Sequence, residues 1–321
     1  MTDQPCVLVV GGVAMDLVVR TPSIPGPGQT VYGRQFATIP SGRGANQAIA
    51  AARCGARVSL LARVGNDDFG QRVLLGLQAH NVDTAAVMVS EGVNTAATLI
   101  IVDEIGENAV CIASGANELL SVEDIDEHAE LISQADVIVA QLEVPQPSVA
   151  YLVQEARRRG KPIIINPTPV PPEPQRIHPA LFEADVLIPN EDETARLCGE
   201  RATDAHSAKL AASALVARGA RAVVVTLGHR GALAVTARQI THIPPFPVRI
   251  VDASGAGDAF CGAFTAAYAR QLPVAQDDWE EALGRATRFA AAAGALACQK
   301  FGLQPSMPRL EDIERLLKRN C

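Results

Sequence analysis

The stretch Val137-Ile138-Val139-Ala140 opens the part of the chain that decides the fold. Further short apolar runs follow at 163–165, 186–188 and 222–226, and segments with helical periodicity separate them. Short apolar runs bounded by turn residues are typical of strands that are buried on both faces. Strands that alternate with helices predict an α/β fold, with a parallel sheet covered by helices on both faces.

The N-terminal half contains segments that do not fit this alternation. Buried strands are expected at Cys6–Val10 and Val58–Val64. Within 17–39, and again within 97–113, the β-like runs follow one another without an intervening helix. The second of these has a turn at 103–107 and predicts a hairpin. We therefore expect these segments to pair into a small sheet that projects from the main body.

The composition excludes several classes of protein. Of 321 residues, 48% are hydrophobic and 20% are charged, which is typical of a globular chain. The formal net charge of −7 argues against binding to nucleic acid or to an anionic membrane. The apolar run 289–298 is too short to span a bilayer, and residues 1–5 lack the positive segment of a secretory leader.

The seven cysteines and six histidines show no metal-binding pattern. No two cysteines have C-x-x-C spacing, most lie in apolar stretches, and no H-E-x-x-H motif occurs. We therefore expect buried, reduced thiols in a cytoplasmic protein, and no catalytic zinc.

The most informative motif is Asp252-Ala253-Ser254-Gly255-Ala256-Gly257-Asp258, followed by a helix expected at 259–270. Its glycines allow a tight turn in which several N–H groups point the same way, and the helix N-terminus adds its dipole. Such a nest attracts the oxygens of a transferring phosphoryl group. Asp258 at its edge is placed to accept a proton from an attacking hydroxyl. The alternative is a glycine-rich loop in which Asp258 only caps the helix.

A second motif, Ser41-Gly42-Arg43-Gly44-Ala45-Asn46-Gln47, opens the helix that ends near Cys54. Its glycines permit close approach of a ligand, and Arg43 and Asn46 supply hydrogen-bond donors. The motif lacks the G-x-x-x-x-G-K-[ST] pattern of a phosphate-binding P-loop and the third glycine of a dinucleotide fingerprint. A plain turn into a helix explains it equally well.

Four polar residues follow predicted strands, at the sheet edge where ligands bind in open α/β folds. Asn190 and Glu193 are three residues apart on a first helical turn, so they can face one side and hold a hydrated Mg²⁺ with phosphate oxygens. A charged helix start that complements the dipole is the alternative. Asp16 and Glu143 can accept hydrogen bonds from sugar hydroxyls or cap a turn.

Taken in order, these motifs resemble the ribokinase branch of the phosphofructokinase-B carbohydrate kinases. The resemblance runs from Val7 to Leu317. The segments that carry it are Ser41–Gln47, Gln141-Leu142-Glu143, Asn190-x-x-Glu193, Thr226-Leu227-Gly228-x-x-Gly231, Asp252–Asp258 and Gln304-Pro305-Ser306. Each match alone is weak, but together they occur in the order of the family.

The resemblance implies a three-layer α/β sandwich with a central, mostly parallel sheet and a small β-sheet lid. It implies one kinase domain over residues 1–321, with lid strands from about 15–42 and 95–113. The implied activity is ATP-dependent phosphorylation of the primary 5-hydroxyl of a pentose, above all D-ribose. The family also implies Mg²⁺, activation by K⁺ and a homodimer formed through the lid.

The resemblance also implies a role for each matching residue. Asp258 would be the catalytic base, and Gly255, Ala256 and Gly257 would form the anion hole. The implied sugar contacts are Asp16, Gly42, Arg43, Gly44, Asn46, Glu143 and Asp258, with Ala14 beside them. The implied nucleotide contacts are Asn190, Thr226, Leu227, Gly228, Gly231 and Gly257, and Glu193 would organise Mg²⁺ and phosphate. The implied monovalent-cation site comprises Asp252, Ser254, Ala297, Lys300, Gly302 and Ser306.

Three positions depart from the family pattern. Ser41 replaces the first glycine of the usual pair, Arg43 replaces the usual lysine, and Ala14 stands where ribose-specific members commonly carry Asn. The missing amide at position 14 leaves 2-deoxyribose or another furanose open as the substrate. A nucleoside kinase needs an apolar pocket for a base, and a non-catalytic sugar sensor has no need of Asp258 beside the nest.

Overall fold

The computed structural model describes residues 4–171, 173, 176–199, 205–273 and 278–320. In chain order the strands are β1 (Cys6–Val10), β2 (Ala14–Arg20), β3 (Gln35–Ser41), β4 (Arg57–Gly65), β5 (Val82–Asp83), β6 (Val87–Ser90), β7 (Ala96–Val102), β8 (Asn108–Ala113), β9 (Val137–Gln141), β10 (Ile163–Asn166), β11 (Val186–Leu187), β12 (Ala222–Thr226), β13 (Ala232–Thr236) and β14 (Ile240–Ile243). The helices are α1 (Arg43–Arg53), α2 (Asp68–Ala79), α3 (Val122–Glu127), α4 (Ala129–Gln134), α5 (Gln146–Arg158), α6 (Glu191–Cys198), α7 (Ala205–Ala217), α8 (Ala256–Ala269), α9 (Trp279–Ala297) and α10 (Leu310–Arg319).

The large sheet has the strand order β14-β13-β12-β11-β10-β9-β1-β4-β5, and β6 also pairs with β4. All neighbours are parallel except β12 with β13 and β13 with β14. Adjacent strands that run parallel bring their carboxyl ends to one edge of the sheet. This sheet confirms the α/β fold that the alternation of strands and helices predicts.

Helices cover both faces of this sheet, because the side chains of each strand alternate between two separate cores. Val7 and Val9 of β1 pack in the core that α1, α8 and α9 complete. Leu8 and Val10 pack in the other core, with side chains of α5 and α7. The result is the three-layer arrangement of helices, sheet and helices.

The small sheet has the order β3-β2-β7-β8 and is separate from the large one. β2 runs parallel to β7 and antiparallel to β3, and β7 and β8 form the predicted hairpin. Its strands come from the two segments that do not fit the alternation of strands and helices. Several of its apolar side chains face solvent, among them Leu99, Val110 and Ile112.

Four local expectations were wrong. Helix α8 begins at Ala256 and not at 259, so Asp258 lies inside its first turn and Gly255 is the N-cap. The β-like run expected at 30–39 forms strand β3 only from Gln35 onward. Asp16 follows β1 as expected, but it lies within β2, which begins at Ala14 and not at 17. Thiols are not uniformly buried, since Cys111 is exposed.

None of the described helices is long and apolar enough to cross a membrane. The described part of the chain also contains no cluster of three or more His, Cys, Asp or Glu side chains that could hold a metal ion.

Candidate active site

Asp258 occupies the first turn of α8, directly after Gly255, which has a left-handed backbone conformation (φ 77°). The residue is buried (4% exposed). Nδ2 of Asn46 donates to Oδ2 of Asp258 at 3.0 Å, and Nε2 of Gln47 donates to Oδ1 at 3.1 Å. Nη1 of Arg43 lies 3.5 Å from the same Oδ1. The carboxylate is therefore held by donors that all come from the start of α1.

The close packing of α1 against α8 brings these groups together. A Cβ atom built on Gly262, one turn after Asp258, would lie 2.5 Å from both the carbonyl oxygen of Gln47 and the Cβ of Ala50. Only a residue without a side chain permits this approach. The separation of the two helices at Gly262 therefore sets how far Asp258 lies from the amides of Asn46 and Gln47.

Two more carboxylates lie near Asp258. Oε2 of Glu143 accepts a hydrogen bond from the backbone N–H of Arg43 at 2.7 Å, and the guanidinium of Arg43 lies 4.0 Å from Oε1. Asp16 on β2 is buried. The structure thus brings Asp16, Arg43, Glu143 and Asp258 into one electrostatically coupled group, as the sequence predicts.

Burial raises the pKa of Glu143 to about 7, although the charge of Arg43 lowers it. Burial also raises the pKa of Asp16, although hydrogen bonds from Ser41 and Thr98 oppose the shift. The negative charge of Asp258 raises the pKa values of both groups further. The raised pKa values show that the pocket disfavours further negative charge, so an uncharged hydrogen-bonding ligand such as a polyol suits it.

The backbone around Gly42 places the remaining sugar-side residues. Gly42 is the N-cap of α1 with φ 97°, and its Cα lies against the backbone of Val13 and Ala14. Gly44 lies equally close to the backbone of Gly12. Ala14 of β2 pairs with Ser41 of β3, so Ala14 lies beside this turn, and it is buried.

Sequence reasoning missed Asn117. Its Oδ1 accepts a hydrogen bond from the backbone N–H of Val13 at 3.1 Å, and the side chain is buried. A Cβ atom on Gly12 would meet both Glu143 and Nδ2 of Asn117. Asn117 lies in a short 3₁₀ turn with no recognisable motif, so no local signal could have assigned it.

A cleft of about 1030 Å³ opens on the other side of the α8 N-terminus. Its walls include the predicted nucleotide contacts Asn190, Thr226, Leu227, Gly228, Gly231 and Gly257, and Ala256 of the predicted anion hole. Apolar side chains of Phe246, Ile250 and Phe260 line it as well. A cleft with apolar walls that ends at a helix N-terminus suits a planar aromatic group with an anionic tail.

Glu193 does not line this cleft but lies behind it, buried in a capping box. Oδ1 of Asn190 accepts from the N–H of Glu193, and Oε2 of Glu193 accepts from the N–H of Asn190, both at 2.8 Å. Oε1 of Glu193 accepts from the hydroxyl of Thr168 at 2.5 Å. Both carboxylate oxygens of Glu193 therefore accept hydrogen bonds. The side chains of Asn190 and Glu193 bind each other's backbone N–H groups, whereas the sequence predicts that both face one side of the helix.

Three of the residues predicted for a monovalent cation, Asp252, Ser254 and Gly302, are joined by hydrogen bonds near the end of α9. Oδ1 of Asp252 accepts from the N–H of Ser254 at 2.9 Å, and Oδ2 accepts from the N–H of Gly302 at 3.0 Å. Burial raises the pKa of Asp252, but these backbone donors lower it more, so the net pKa is below its usual value. Ala297 is the last residue of α9, and its carbonyl accepts a hydrogen bond from the N–H of Lys300 at 3.3 Å.

The hydroxyl of Ser306 donates to the carbonyl of Leu303 at 2.7 Å, and Ser306 is buried while Lys300 is exposed. Asp252 thus keeps its charge, and each of its oxygens has a lone pair beyond the one that accepts a backbone N–H group, which suits a weakly hydrated monovalent cation. The exposed position of Lys300 agrees with its contributing a carbonyl and not its ammonium group.

Comparisons with known proteins agree with this geometry. The chain matches the pfkB family of carbohydrate kinases over residues 4–310, and it belongs to that family. It is 34% identical to a ribokinase of Mus musculus, over 97% of this chain and 94% of that protein. It is 33% identical to a deoxyribokinase of Salmonella typhi, over 98% and 99% respectively.

A solved structure of Arabidopsis thaliana ribokinase, in complex with ribose and ATP, superimposes with a TM-score of 0.87. It is 27% identical to this chain and covers 98% of it and 99% of its own length. The chain is therefore a carbohydrate kinase with the fold of ribokinases.

Proposed function

We propose that this protein transfers the γ-phosphate of ATP to the primary 5-hydroxyl of a pentose, with D-ribose as the best substrate. The observation that carries the proposal is the position of Asp258. Its buried carboxylate lies in the first turn of α8 and is electrostatically coupled to Asp16 and Glu143, while Ala256 and Gly257 of the same turn line the cleft. A base between a polyol site and a phosphate site is what transfer between them requires.

In this mechanism Asp258 accepts the proton of the sugar hydroxyl as its oxygen attacks the γ-phosphorus. The bond from that phosphorus to the bridging oxygen breaks, and ADP leaves. The N–H groups of Gly255, Ala256 and Gly257, with the dipole of α8, stabilise the negative charge on the transferring group. Burial of Asp258 keeps water from competing with the sugar.

Two cations complete the proposal. Magnesium would neutralise charge on the nucleotide phosphates, and Glu193 would act on its hydration shell, since both carboxylate oxygens already have partners. Potassium would be held by Asp252 and the carbonyls near Ser254, Ala297, Lys300 and Gly302, with Ser306 beside them. There it would fix the backbone that leads into the anion nest.

The main alternative is a 2-deoxyribose kinase, because the two named relatives are equally similar to this chain. Ala14 supports this alternative, because its methyl group cannot form a hydrogen bond with the hydroxyl that ribose has and 2-deoxyribose lacks. A nucleoside kinase is a weaker candidate, and the buried Asp258 argues against a sensor that binds sugar without turnover.

The test is a coupled assay of ADP formation with D-ribose, 2-deoxy-D-ribose, other pentoses and nucleosides. The highest kcat/KM is expected for D-ribose, with the phosphate on O5 by NMR of the product. A higher value for 2-deoxyribose would select the alternative. Ala14→Asn should then raise the ribose to deoxyribose ratio by roughly tenfold, because one added hydrogen bond discriminates at about that level.

We also propose that the chain acts in the cytoplasm as one kinase domain and as a homodimer joined through the small sheet. The cross-strand register supports the dimer. Asp16 pairs with Thr98, and Thr98 with Ile112, so Ile112 lies on the face that carries Asp16. Ile112 is 61% exposed and its neighbour Val110 is 53% exposed. A second copy would cover this apolar face and border the sugar site.

A further inference from the structure

Gln47 is the most completely buried polar side chain in contact with Asp258, with an exposed fraction of 0%. Its Nε2 donates to Oδ1 of Asp258 at 3.1 Å and to Oδ1 of Asn166 at 2.9 Å. Its Oε1 accepts from Nε2 of Gln141 at 2.7 Å. Gln47 therefore connects α1 to the ends of β9 and β10 and to the first turn of α8.

The direction of each hydrogen bond in this network is fixed. Nδ2 of Asn166 donates to the carbonyl of Ile188 at 2.7 Å, and a carbonyl can only accept. Asn166 must therefore present its oxygen to Gln47. An ionised Asp258 also only accepts, so the amide of Gln47 has to turn its NH₂ group towards both oxygens.

The opposite end of Gln47 is held just as firmly. Gln141 lies against Gly11, where a Cβ atom would fall 1.8 Å from Oε1 of Gln141. Because Gly11 has no side chain, Gln141 can reach Oε1 of Gln47. A buried amide with both its donors and its acceptor engaged has a single orientation.

The two oxygens of Asp258 are consequently not equivalent. Oδ1 faces two donor groups, Gln47 and Arg43. Among the described residues, Oδ2 has one hydrogen-bond donor, Asn46. A carboxylate oxygen offers two lone pairs, so Oδ2 keeps one of them for an incoming hydroxyl.

We propose that Gln47 is a positioning residue for phosphoryl transfer, which holds Oδ1 of Asp258 so that Oδ2 takes the proton of the substrate. The proposal rests on the role of Asp258 as the base in the function proposed above. Gln141 acts one step further away, by holding the amide of Gln47.

The test combines steady-state kinetics of three variants, Gln47→Met, Gln141→Met and the double variant. Gln47→Met keeps the size of the side chain and removes its donor. Its kcat should fall by roughly 10- to 100-fold, while KM for sugar and ATP changes little, because a base that is misplaced affects the chemical step. Gln141→Met should lower kcat less.

The decisive result is the double variant. If Gln141 acts only through Gln47, the double variant has the kcat of Gln47→Met alone. Independent structural damage would instead make the two losses multiply. Thr287→Val is the matched control, since it removes a buried hydroxyl that donates to Leu283 at 2.7 Å on α9 and should leave kcat unchanged.

Gln47→Glu serves if the Met variant does not fold. It keeps the acceptor for Gln141 but turns an acceptor towards Asp258, so kcat should fall at least as far. An unchanged kcat in the Gln47 variants, or multiplying losses in the double variant, would overturn the proposal. A wild-type chain without activity on any sugar would overturn the proposed function, and the positioning role with it.

Discussion

Arg43 Nη1 lies 3.5 Å from Oδ1 of Asp258, and the backbone N–H of the same Arg43 donates to Glu143. One residue thus joins Asp258, the proposed base, to Glu143, a proposed sugar contact. The side chain of Arg43 is 38% exposed, whereas that of Asp258 is 5% exposed. The guanidinium of Arg43 can therefore leave the ion pair to bind a phosphoryl group, whereas the buried carboxylate of Asp258 stays in place.

Asp258→Asn should lower kcat by roughly two to four orders of magnitude, because it keeps the shape of the side chain and removes the proton acceptor. Affinities for sugar and ATP should change far less. Single-turnover rates and calorimetric binding will separate the two effects. Retention of more than about a tenth of wild-type kcat would rule Asp258 out as the base.

Arg43→Gln should weaken turnover and also raise the pKa of Glu143 above its present value of about 7, because Arg43 is the positive charge that lowers it. Arg43→Lys, which restores the charge, should recover most of the activity. NMR titration of side-chain carboxyl carbons measures the pKa. An unshifted Glu143 resonance would show that the Arg43 charge does not reach it.

Glu143 should make the free energy of unfolding depend on pH. Its pKa rises on folding from the ordinary 4.5 to about 7, so the stability it contributes is complete below pH 4.5 and is lost as pH rises through 7. The loss should amount to about 1–3 kcal/mol, since one pKa unit is about 1.4 kcal/mol and the side chain is partly solvated.

Glu143→Gln removes this dependence while its Oε1 can still accept from the N–H of Arg43. Urea unfolding of wild type and variant between pH 5 and pH 8 gives the difference curve. The variant should gain stability relative to wild type as pH increases. A flat difference curve would contradict a raised pKa at this position.

Potassium should raise kcat without changing sugar affinity. A cation held by Asp252 fixes the backbone before phosphate arrives, and its preference should follow ion size and ease of dehydration, so potassium should exceed sodium. Initial rates in a buffer with a bulky organic cation, titrated with potassium at constant ionic strength, test this. Asp252→Asn should abolish the response, and a flat wild-type response would point to the Lys300 ammonium or no ion.

Ile112→Glu should convert the proposed dimer to a monomer and weaken sugar binding, because a charge on the Asp16 face of the small sheet cannot be buried against a second copy. Leu99→Glu is the control, since Leu99 is 54% exposed on the neighbouring strand but lies on the opposite face. Sedimentation at micromolar concentration distinguishes the states. A wild-type monomer with full activity would contradict the dimer.

The strands and helices of the large sheet could be predicted from the sequence, because apolar runs and capping residues mark each of them locally. The strand Ala222–Thr226 and the helix Glu191–Cys198 have the bounds that their apolar runs and capping residues predict. The start of α8 was placed too late, because Gly255 and Gly257 indicate a loop locally. In the folded chain Gly257 lies inside the helix, because burial of the α8 residues that follow it, packed in one core with α1 and α9, outweighs its poor propensity.

The polar network around the base could not be read in the same way. The bond between Gln141 and Gln47 joins residues 94 positions apart, and Asn117 reaches Val13 across 104 positions. No spacing rule connects such pairs, since the order of strands in the sheet brings them together. The motif containing Gln47 was recognised, but its function depends on partners that only the fold supplies.

The absence of a side chain at Gly262 has a consequence for inherited variation in this gene. Replacement by alanine would force α8 away from Gln47 and Ala50, where the added carbon would lie 2.5 Å from both. The damage would reach Asp258 through the helix axis, although position 262 lies one turn away from it. Loss-of-function alleles are therefore expected at the interface between α1 and α8 as well as among the residues around Asp258.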